Sequence, residues 1–377
     1  MNVSPLTTYR KQLHQNPELS GQETNTAKQV IETLKTFHPT NIISGIGGPS
    51  FVAIFDSGNP GKTIMFRAEL DALPIHEVNS FQHRSKVKGV SHKCGHDGHM
   101  AILLGLAEQL YSTPIATGKV MLLFQSAEET GEGAKTVLNN TLFEPLKPDF
   151  IFALHNVPGY KKGTIICKSG TFTPEVVSLA ITLHGKTAHA AEPEKGINPD
   201  EAIQQLIYNI KRLANPNEAS DSFSTIATVF ATLGTKNYGI SAGHAELHFT
   251  LRCWQPRQLN ALKQTIAKTT AKICDEQQLK YTLDWFQEFS ANQNNNTATK
   301  HIENAANTLK YQYISKAQPF KWGEDFGLFT QHFKGAMFGL GAGENTPALH
   351  NPDYDFPDEI IANGVSMFYQ ILSQTNA

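Results

Sequence analysis

The sequence predicts an α/β fold: a helix-flanked, mostly parallel or mixed sheet, interrupted by an inserted ferredoxin-like α+β unit. Three observations carry this expectation. Short apolar runs at Phe51 to Phe55, Thr63 to Phe66, Val120 to Phe124 and Phe150 to Leu154 are bounded by Gly, Pro or Asp and read as buried strands. Stretches of helical spacing lie between or before some of them, with Ala27, Val30, Ile31, Leu34 and Phe37 in one and Met100 to Leu110 in another. From about Pro174 to Glu288 the pattern changes to β-α-β-β-α-β, the order of a ferredoxin-like unit.

Within that insert, Val177, Leu179, Ile181 and Leu183 alternate with polar or small residues, as in a half-buried strand. A helix is expected from Pro199, with Asn198 as its N-cap and Glu201 placed for a capping box. Its apolar stripe is Ala202, Ile203, Leu206, Ile207, Ile210 and Leu213. Strands near Phe223 to Thr232 and Glu246 to Arg252 follow, then a helix carrying Leu259, Leu262, Ile266 and Ile273, then a strand from Tyr281 to Phe286. The Asn-rich stretch from Ser290 to Thr299 marks the exit. The expected organisation is a catalytic α/β domain over residues 1–173 and 289–377, with residues 174–288 inserted into it.

With 377 residues the chain has room for two domains, and 40% hydrophobic residues suffice for a sizeable core. Lys plus Arg is 32 against 34 Asp plus Glu, which gives no electrostatic reason to expect nucleic acid or an anionic membrane as partner. No apolar run approaches the roughly 20 residues of a membrane span. Met1-Asn2-Val3-Ser4-Pro5 lacks the basic and apolar regions of a signal peptide. Cys94, Cys167, Cys253 and Cys274 are far apart and form no CxxC pair. These features lead to the expectation of a soluble, cytoplasmic protein.

Five local motifs carry the chemistry: Arg67 to Asp71, Cys94-Gly95-His96-Asp97-Gly98-His99, Glu128-Glu129, Leu154-His155-Asn156, and Leu349-His350-Asn351-Pro352. Several follow expected strands directly, and in open α/β sheets sites form beyond the carboxyl ends of strands. Thiolate, imidazole and carboxylate suit a borderline-soft divalent ion. Five candidate ligands, Cys94, His96, Glu129, His155 and His350, exceed the three of a mononuclear catalytic zinc site. They suffice for two ions if one ligand and a water bridge, and such a pair can polarise a carbonyl and activate water. One carboxylate of Glu128-Glu129 can act as base while its neighbour ligates.

The motifs resemble those of the aminoacylase and carboxypeptidase-like family of binuclear metallo-amidohydrolases. The similarity is to the branch of hippurate hydrolases, N-acyl-amino-acid amidohydrolases and auxin-conjugate hydrolases. It covers nearly the whole chain in order. It runs from Leu13-His14 and Pro17-Glu18-Leu19 through the Arg67 run to His92-Lys93-Cys94-Gly95-His96-Asp97 and Phe124 to Glu129. It continues through Thr187-Ala188-His189-Ala190-Ala191-Glu192-Pro193 to Glu324-Asp325-Phe326. The resemblance implies that Cys94, His96, Glu129, His155 and His350 hold two divalent ions per chain, zinc or manganese. It also implies that Glu128 is the general base. The insert corresponds to a dimerisation lid, and His189 to a histidine that polarises the substrate over the partner subunit's metals. The implied reaction is hydrolysis of an N-acyl amino acid by a homodimer. Three departures bear on substrate preference: Glu69 stands where Asp is usual, Lys93 where a small residue is usual, and Ser126 where Pro is usual.

Simpler readings exist for each residue. A single cysteine is often a buried structural thiol, and paired glutamates are usually solvated. His99 can merely cap or pack, and His184 reads as an exposed strand residue. The glycines from Gly339 to Gly343 lack the context of a phosphate loop and read as close backbone packing. A nucleophilic Cys94 with a histidine base would leave His155, His350 and both glutamates idle. A dipeptidase or carboxypeptidase with the same centre, and a catalytically silent metal-binding paralogue, are the remaining rivals.

Overall fold

A computed structural model describes residues 4–375. Helices α1 (Ser4–Gln15) and α2 (Thr24–Lys35) precede strands β1 (Asn41–Ser44), β2 (Phe51–Asp56) and β3 (Thr63–Glu69). Then come α3 (His96–Ser112), β4 (Lys119–Gln125), α4 (Gly133–Leu138), β5 (Phe150–Pro158), β6 (Ile165–Cys167) and β7 (Gly170–Thr173). The next stretch holds β8 (Glu175–His184), β9 (Ala188–His189), α5 (Asp200–Lys211), β10 (Ser224–Leu233) and β11 (Ile240–Ser241). It continues with β12 (His244–Cys253), α6 (Pro256–Glu276) and β13 (Lys280–Phe289). The chain then adds β14 (Asn292–Asn294), α7 (Asn296–Thr308), β15 (Tyr313–Ser315), α8 (Phe326–His332), β16 (Gly335–Gly343) and α9 (Ile361–Thr375). Met1, Asn2 and Val3, on which part of the signal-peptide expectation rests, lie outside the described residues.

Two compact units result. The first runs to Phe172, resumes over Asn292–Ala317 and continues from Glu324. Its eight-stranded sheet has the order β1-β2-β4-β3-β5-β16-β6-β15. The four central strands, β4, β3, β5 and β16, are mutually parallel, while β2 and β6 join them antiparallel. This is the mixed, helix-flanked sheet expected from the sequence. Buried strands such as β4 and β5 read as near-continuous apolar runs because helices such as α3, α7 and α9 share one core with them. After β3 the chain builds β4 on one side of it and β5 on the other, so the carboxyl end of β3 is a topological switch point, where ligand crevices form.

The second unit comprises Thr173–Ala291 with Gln318–Gly323. Its antiparallel sheet has the order β10-β12-β8-β13, with α5 and α6 packed into the same core. That is ferredoxin-like connectivity. The segment Gln318–Gly323 returns to this unit without any apolar period to announce it. It is tied there by Arg252, which donates to Lys321 O at 2.8 Å, and by a Lys321–Glu218 ion pair.

Local chemistry shifted several element boundaries. Helix α5 starts at Asp200 rather than Pro199, and no capping box forms. Asn198 Oδ1 accepts from Asp200 N at 3.1 Å, an Asx turn that delays the helix by one residue. The Asn-rich tract is not a plain exit loop: Asn292–Asn294 form β14, and Asn295 Oδ1 caps α7 by accepting from Thr297 N and Ala298 N. Helix α3 begins at His96, four residues before its apolar run, because its first turn buries the polar motif itself. Among the described residues no helix is long and apolar enough to cross a membrane.

Candidate metal centre

The carboxyl ends of the parallel strands deliver the motifs to one place. Strand β3 carries Arg67 and Glu69 and leads to Asp71. Strand β4 ends at Gln125 and leads into Glu128 and Glu129, and β5 carries His155 and Asn156. Helix α3 presents Cys94 and His96 at its start, and the loop after β16 carries His350. Gly95 makes that helix start possible. Its φ is +100°, and a Cβ there would stand 2.5 Å from Asn156 Oδ1. Gly98 likewise leaves room for the Phe356 ring, which would lie 2.3 Å from a Cβ.

The five expected ligand residues converge. One donor atom each from Cys94, His96 and His155 lies within 4.8 Å of the others, and the same holds for Cys94, Glu129 and His350. Cys94 belongs to both groups. Its Sγ is 3.4 Å from His155 Nε2. His350 Nε2 stands 3.6 Å and His96 Nε2 3.9 Å from Glu129 Oε1. Glu128 joins through Oε2, 3.9 Å from His96 Nε2. His189 belongs to the second unit, where it is exposed on β9 and pairs in register with Ile240 of β11.

Two of the three candidate imidazoles are oriented by the atom behind them. His155 Nδ1 donates to Asn156 O at 2.9 Å, and His96 Nδ1 donates to Asp71 O at 2.8 Å. Both rings thereby turn Nε2 to the centre, the usual arrangement of a ligating histidine. The Asp71 carboxylate accepts from Glu129 N at 3.0 Å and from Ser20 at 2.7 Å, so one residue, through its carbonyl and its side chain, sets two candidate ligands.

The donor set fits divalent cations. His96 Nε2 and Glu129 Oε1 are buried without a hydrogen-bond partner, a costly state for polar atoms with nothing to bind. Burial and the adjacent Glu129 and Glu128 carboxylates push the Cys94 thiol well above its ordinary range. Burial and then Glu324 and Glu129 push Glu128 up as well, with Arg67 opposing. A nucleophilic thiol needs electropositive surroundings. Cys94 instead sits among acids, where a positive charge supplied from outside would stabilise the thiolate and the carboxylates together.

A second set of residues supports the first, and sequence reasoning had given most of them no role. Arg67 is fully buried and pairs with Glu69, with Asp325 at 2.6 Å and with Glu324 at 3.1 Å. Gln125 accepts from Arg67 Nε at 3.0 Å and donates to Asp325 Oδ2 at 2.7 Å. Asp325 N in turn approaches Glu128 Oε1 at 3.4 Å. Glu69 uses its extra methylene to hold Arg67 with one oxygen and His99 Nδ1 with the other, at 2.6 Å. Burial and the neighbouring His96 draw the His99 imidazole down to about 3, and its Nε2 meets Asn156. It is a packed positioning histidine. Ser126 N donates to Ser50 Oγ at 2.9 Å, a bond that proline could not make.

Helix α1 contributes from behind α3. His14 Nδ1 bonds Asp97 at 2.8 Å, and Arg10 reaches the same carboxylate at 3.3 Å. Burial pulls the His14 imidazole down, but hydrogen bonds to Asp97 and Glu77 more than offset it, raising it to about 9. Helix α1 was not legible as an amphipathic helix because its buried stripe, Leu6, Arg10, Leu13 and His14, is half polar.

Comparison with known proteins places this centre in a family context. A model of peptidase family M20/M25/M40 matches residues 65–374. An N-acetyl-L-cysteine deacetylase of Bacillus subtilis is 31% identical over 366 residues, covering 96% of this chain and 86% of the relative. A hippurate hydrolase of Campylobacter jejuni is 29% identical, covering 96% and 94%. Among solved structures, a dinuclear metal-binding M20-family peptidase of Bacillus subtilis superposes with a TM-score of 0.84 at 27% identity, covering 99% of this chain and 98% of that one.

Proposed function

From the premise that the chain belongs to peptidase family M20/M25/M40, we propose that it cleaves the amide bond of N-acyl amino acids, releasing a carboxylic acid and a free amino acid. That it is a metal-dependent amidohydrolase follows from the family and its named relatives. The substrate class rests above all on two donor groups that share Cys94, with Glu128 grouped beside His96 and Glu129, in a chain similar to an N-acetyl-L-cysteine deacetylase and a hippurate hydrolase.

Cys94, His96, Glu129, His155 and His350 would hold two divalent ions, Cys94 being common to both donor groups. Zinc suits the thiolate best, and the nitrogen and oxygen donors also admit manganese. When bound, such ions polarise the scissile carbonyl and acidify a water. Glu128 takes the proton of the attacking water on Oε2, while Asp325 N steadies Oε1. As the C–N bond breaks, the same oxygen returns the proton to the leaving nitrogen. His189 Nδ1 accepts from Ala191 N at 3.0 Å, which leaves the imidazole proton on Nε2, free to donate to the developing oxyanion. The four cysteines are free and buried, in keeping with a thiolate centre working in the cytoplasm.

A peptidase reading draws support from the likeness to the M20-family peptidase of B. subtilis. Turnover of N-acetyl and N-benzoyl amino acids beside a dipeptide series separates the two. The N-acyl substrates are expected to have the higher kcat/KM. A clear preference for dipeptides would move the assignment to a dipeptidase.

The proposed dimer forms through the second unit. Strand β10 is an edge of its sheet and exposes Val229, Phe230 and Leu233, an apolar edge that invites pairing with a second copy. His189 would then serve the partner's site. Mixing Glu128→Gln with His189→Ala under conditions of subunit exchange tests this. In each mixed dimer one site carries both lesions and the other carries none. Random exchange makes about half the dimers mixed, so activity is expected to recover to roughly a quarter of wild type. No recovery, with exchange confirmed, would place His189 in its own chain's site or outside catalysis.

A further inference from the structure

His350 differs from the other four candidate ligands. Its side chain is 51% exposed against 12% for Glu129, and it sits on the loop that follows β16. Its φ is +66°, a left-handed conformation that the surroundings must hold. The hold comes from Lys93. The Lys93 side chain is fully buried, and its ammonium donates to Glu77 Oε1 at 2.5 Å, Asn79 Oδ1 at 2.9 Å and Tyr354 O at 2.7 Å. All three of its donors are thereby used. The Lys93 carbonyl accepts from His350 N at 2.8 Å. Two further bonds join the same segments: Asn79 Nδ2 donates to Asp353 O at 3.0 Å, and Val78 N donates to Pro352 O at 3.2 Å. One residue thus grips the His350 loop at both ends, through its main chain and its side chain, and ties it to Cys94 and the Glu77–Asn79 segment.

We propose that Lys93 is a positioning residue for the metal centre: its buried ammonium pins the His350 loop so that the exposed imidazole is held at the ion shared with Cys94 and Glu129. The proposal rests on the reading of His350 as a ligand. A small residue at this position would take the ammonium from the Tyr354 carbonyl and from Asn79 Oδ1, and would leave Glu77 Oε1 to His14 Nε2. Lys93 therefore makes the loop's placement a property of this chain's own sequence.

Zinc(II) titration of the stripped, full-length protein by calorimetry tests it, with His350→Ala and Lys93→Met measured beside wild type. Lys93→Met is expected to keep one ion at wild-type affinity and to weaken the other by roughly 10–100-fold, the usual effect of removing a group that orients a ligand. Hydrogen exchange is expected to rise in residues 350–354 but not in the parallel strands. Propylammonium added to Lys93→Ala is expected to restore part of the affinity. If Lys93→Met does not fold, Asn79→Ala serves in its place. It breaks two bonds of the same clamp without stranding a buried charge, and the same one-ion loss, several-fold, is expected. Wild-type affinity for both ions in the folded clamp variant, with His350→Ala losing one ion, would overturn the role of Lys93 alone. Two ions bound unchanged by His350→Ala would overturn the underlying ligand assignment.

Discussion

Glu128→Gln is expected to retain its bound metal and to lose about 10³-fold or more in kcat. The substitution preserves shape, and the amide oxygen can still accept from Asp325 N, 3.4 Å away in the wild type. What disappears is the ability of Oε2 to take a proton from water and return it to the leaving nitrogen. General acid-base catalysis alone is worth about 10²–10⁴-fold, and here one group serves in both directions. KM should change little, since the substrate's ground state makes no demand on that proton. Glu129→Gln is expected to lose metal affinity as well as rate, because its Oε1 lies near both His96 and His350. Near-wild-type turnover in Glu128→Gln would show that another group is the base.

Arg67→Met is expected to destabilise the protein by about 3–5 kcal/mol, the range for removing one partner of a buried ion pair. Among the described residues Arg67 is the only cationic ion-pair partner of Glu324 and Asp325, and it also pairs with Glu69; all four side chains are at most 2% exposed. A methionine of similar length fills the space but strands the acids. The urea midpoint of the variant should fall accordingly. The loss should be larger in chelated protein than in metal-loaded protein, because bound cations compensate some of the stranded charge. An unchanged midpoint would mean that the three carboxyls are carried by their hydrogen bonds alone.

Glu128 and Arg67 also mark what could and could not be read from sequence. Strands β2 to β5 were legible because both faces are buried and apolar runs of that length have few other uses. The ferredoxin-like order was legible from strict alternation in β8 and β12, whose apolar residues face one core. Cys94, His96, Glu129, His155 and His350 were legible as a group because ligand-type residues recurred just beyond strands, and the structure brings their donor atoms together. The Arg67 cluster was not. Arg67 and Asp325 stand 258 positions apart, and a buried charge is recognised only by the partner that folding supplies. Lys93 read as a departure from the family pattern, and its three acceptors lie 14, 16 and 261 positions away. Helix α1 failed for a related reason: Arg10 and His14 are buried by ion pairs rather than by hydrophobicity.

The most direct test of metal-dependent amide hydrolysis is a titration in which ion content and product are followed together. Protein stripped by a chelator is supplied with zinc or manganese in steps, and both the ions bound per chain and the amino acid released from an N-acetyl or N-benzoyl substrate are measured. The expected result is no hydrolysis in the stripped protein and recovery that is complete when both donor groups, the one with His155 and the one with His350, are filled. Full hydrolysis by protein carrying no bound ion would contradict it.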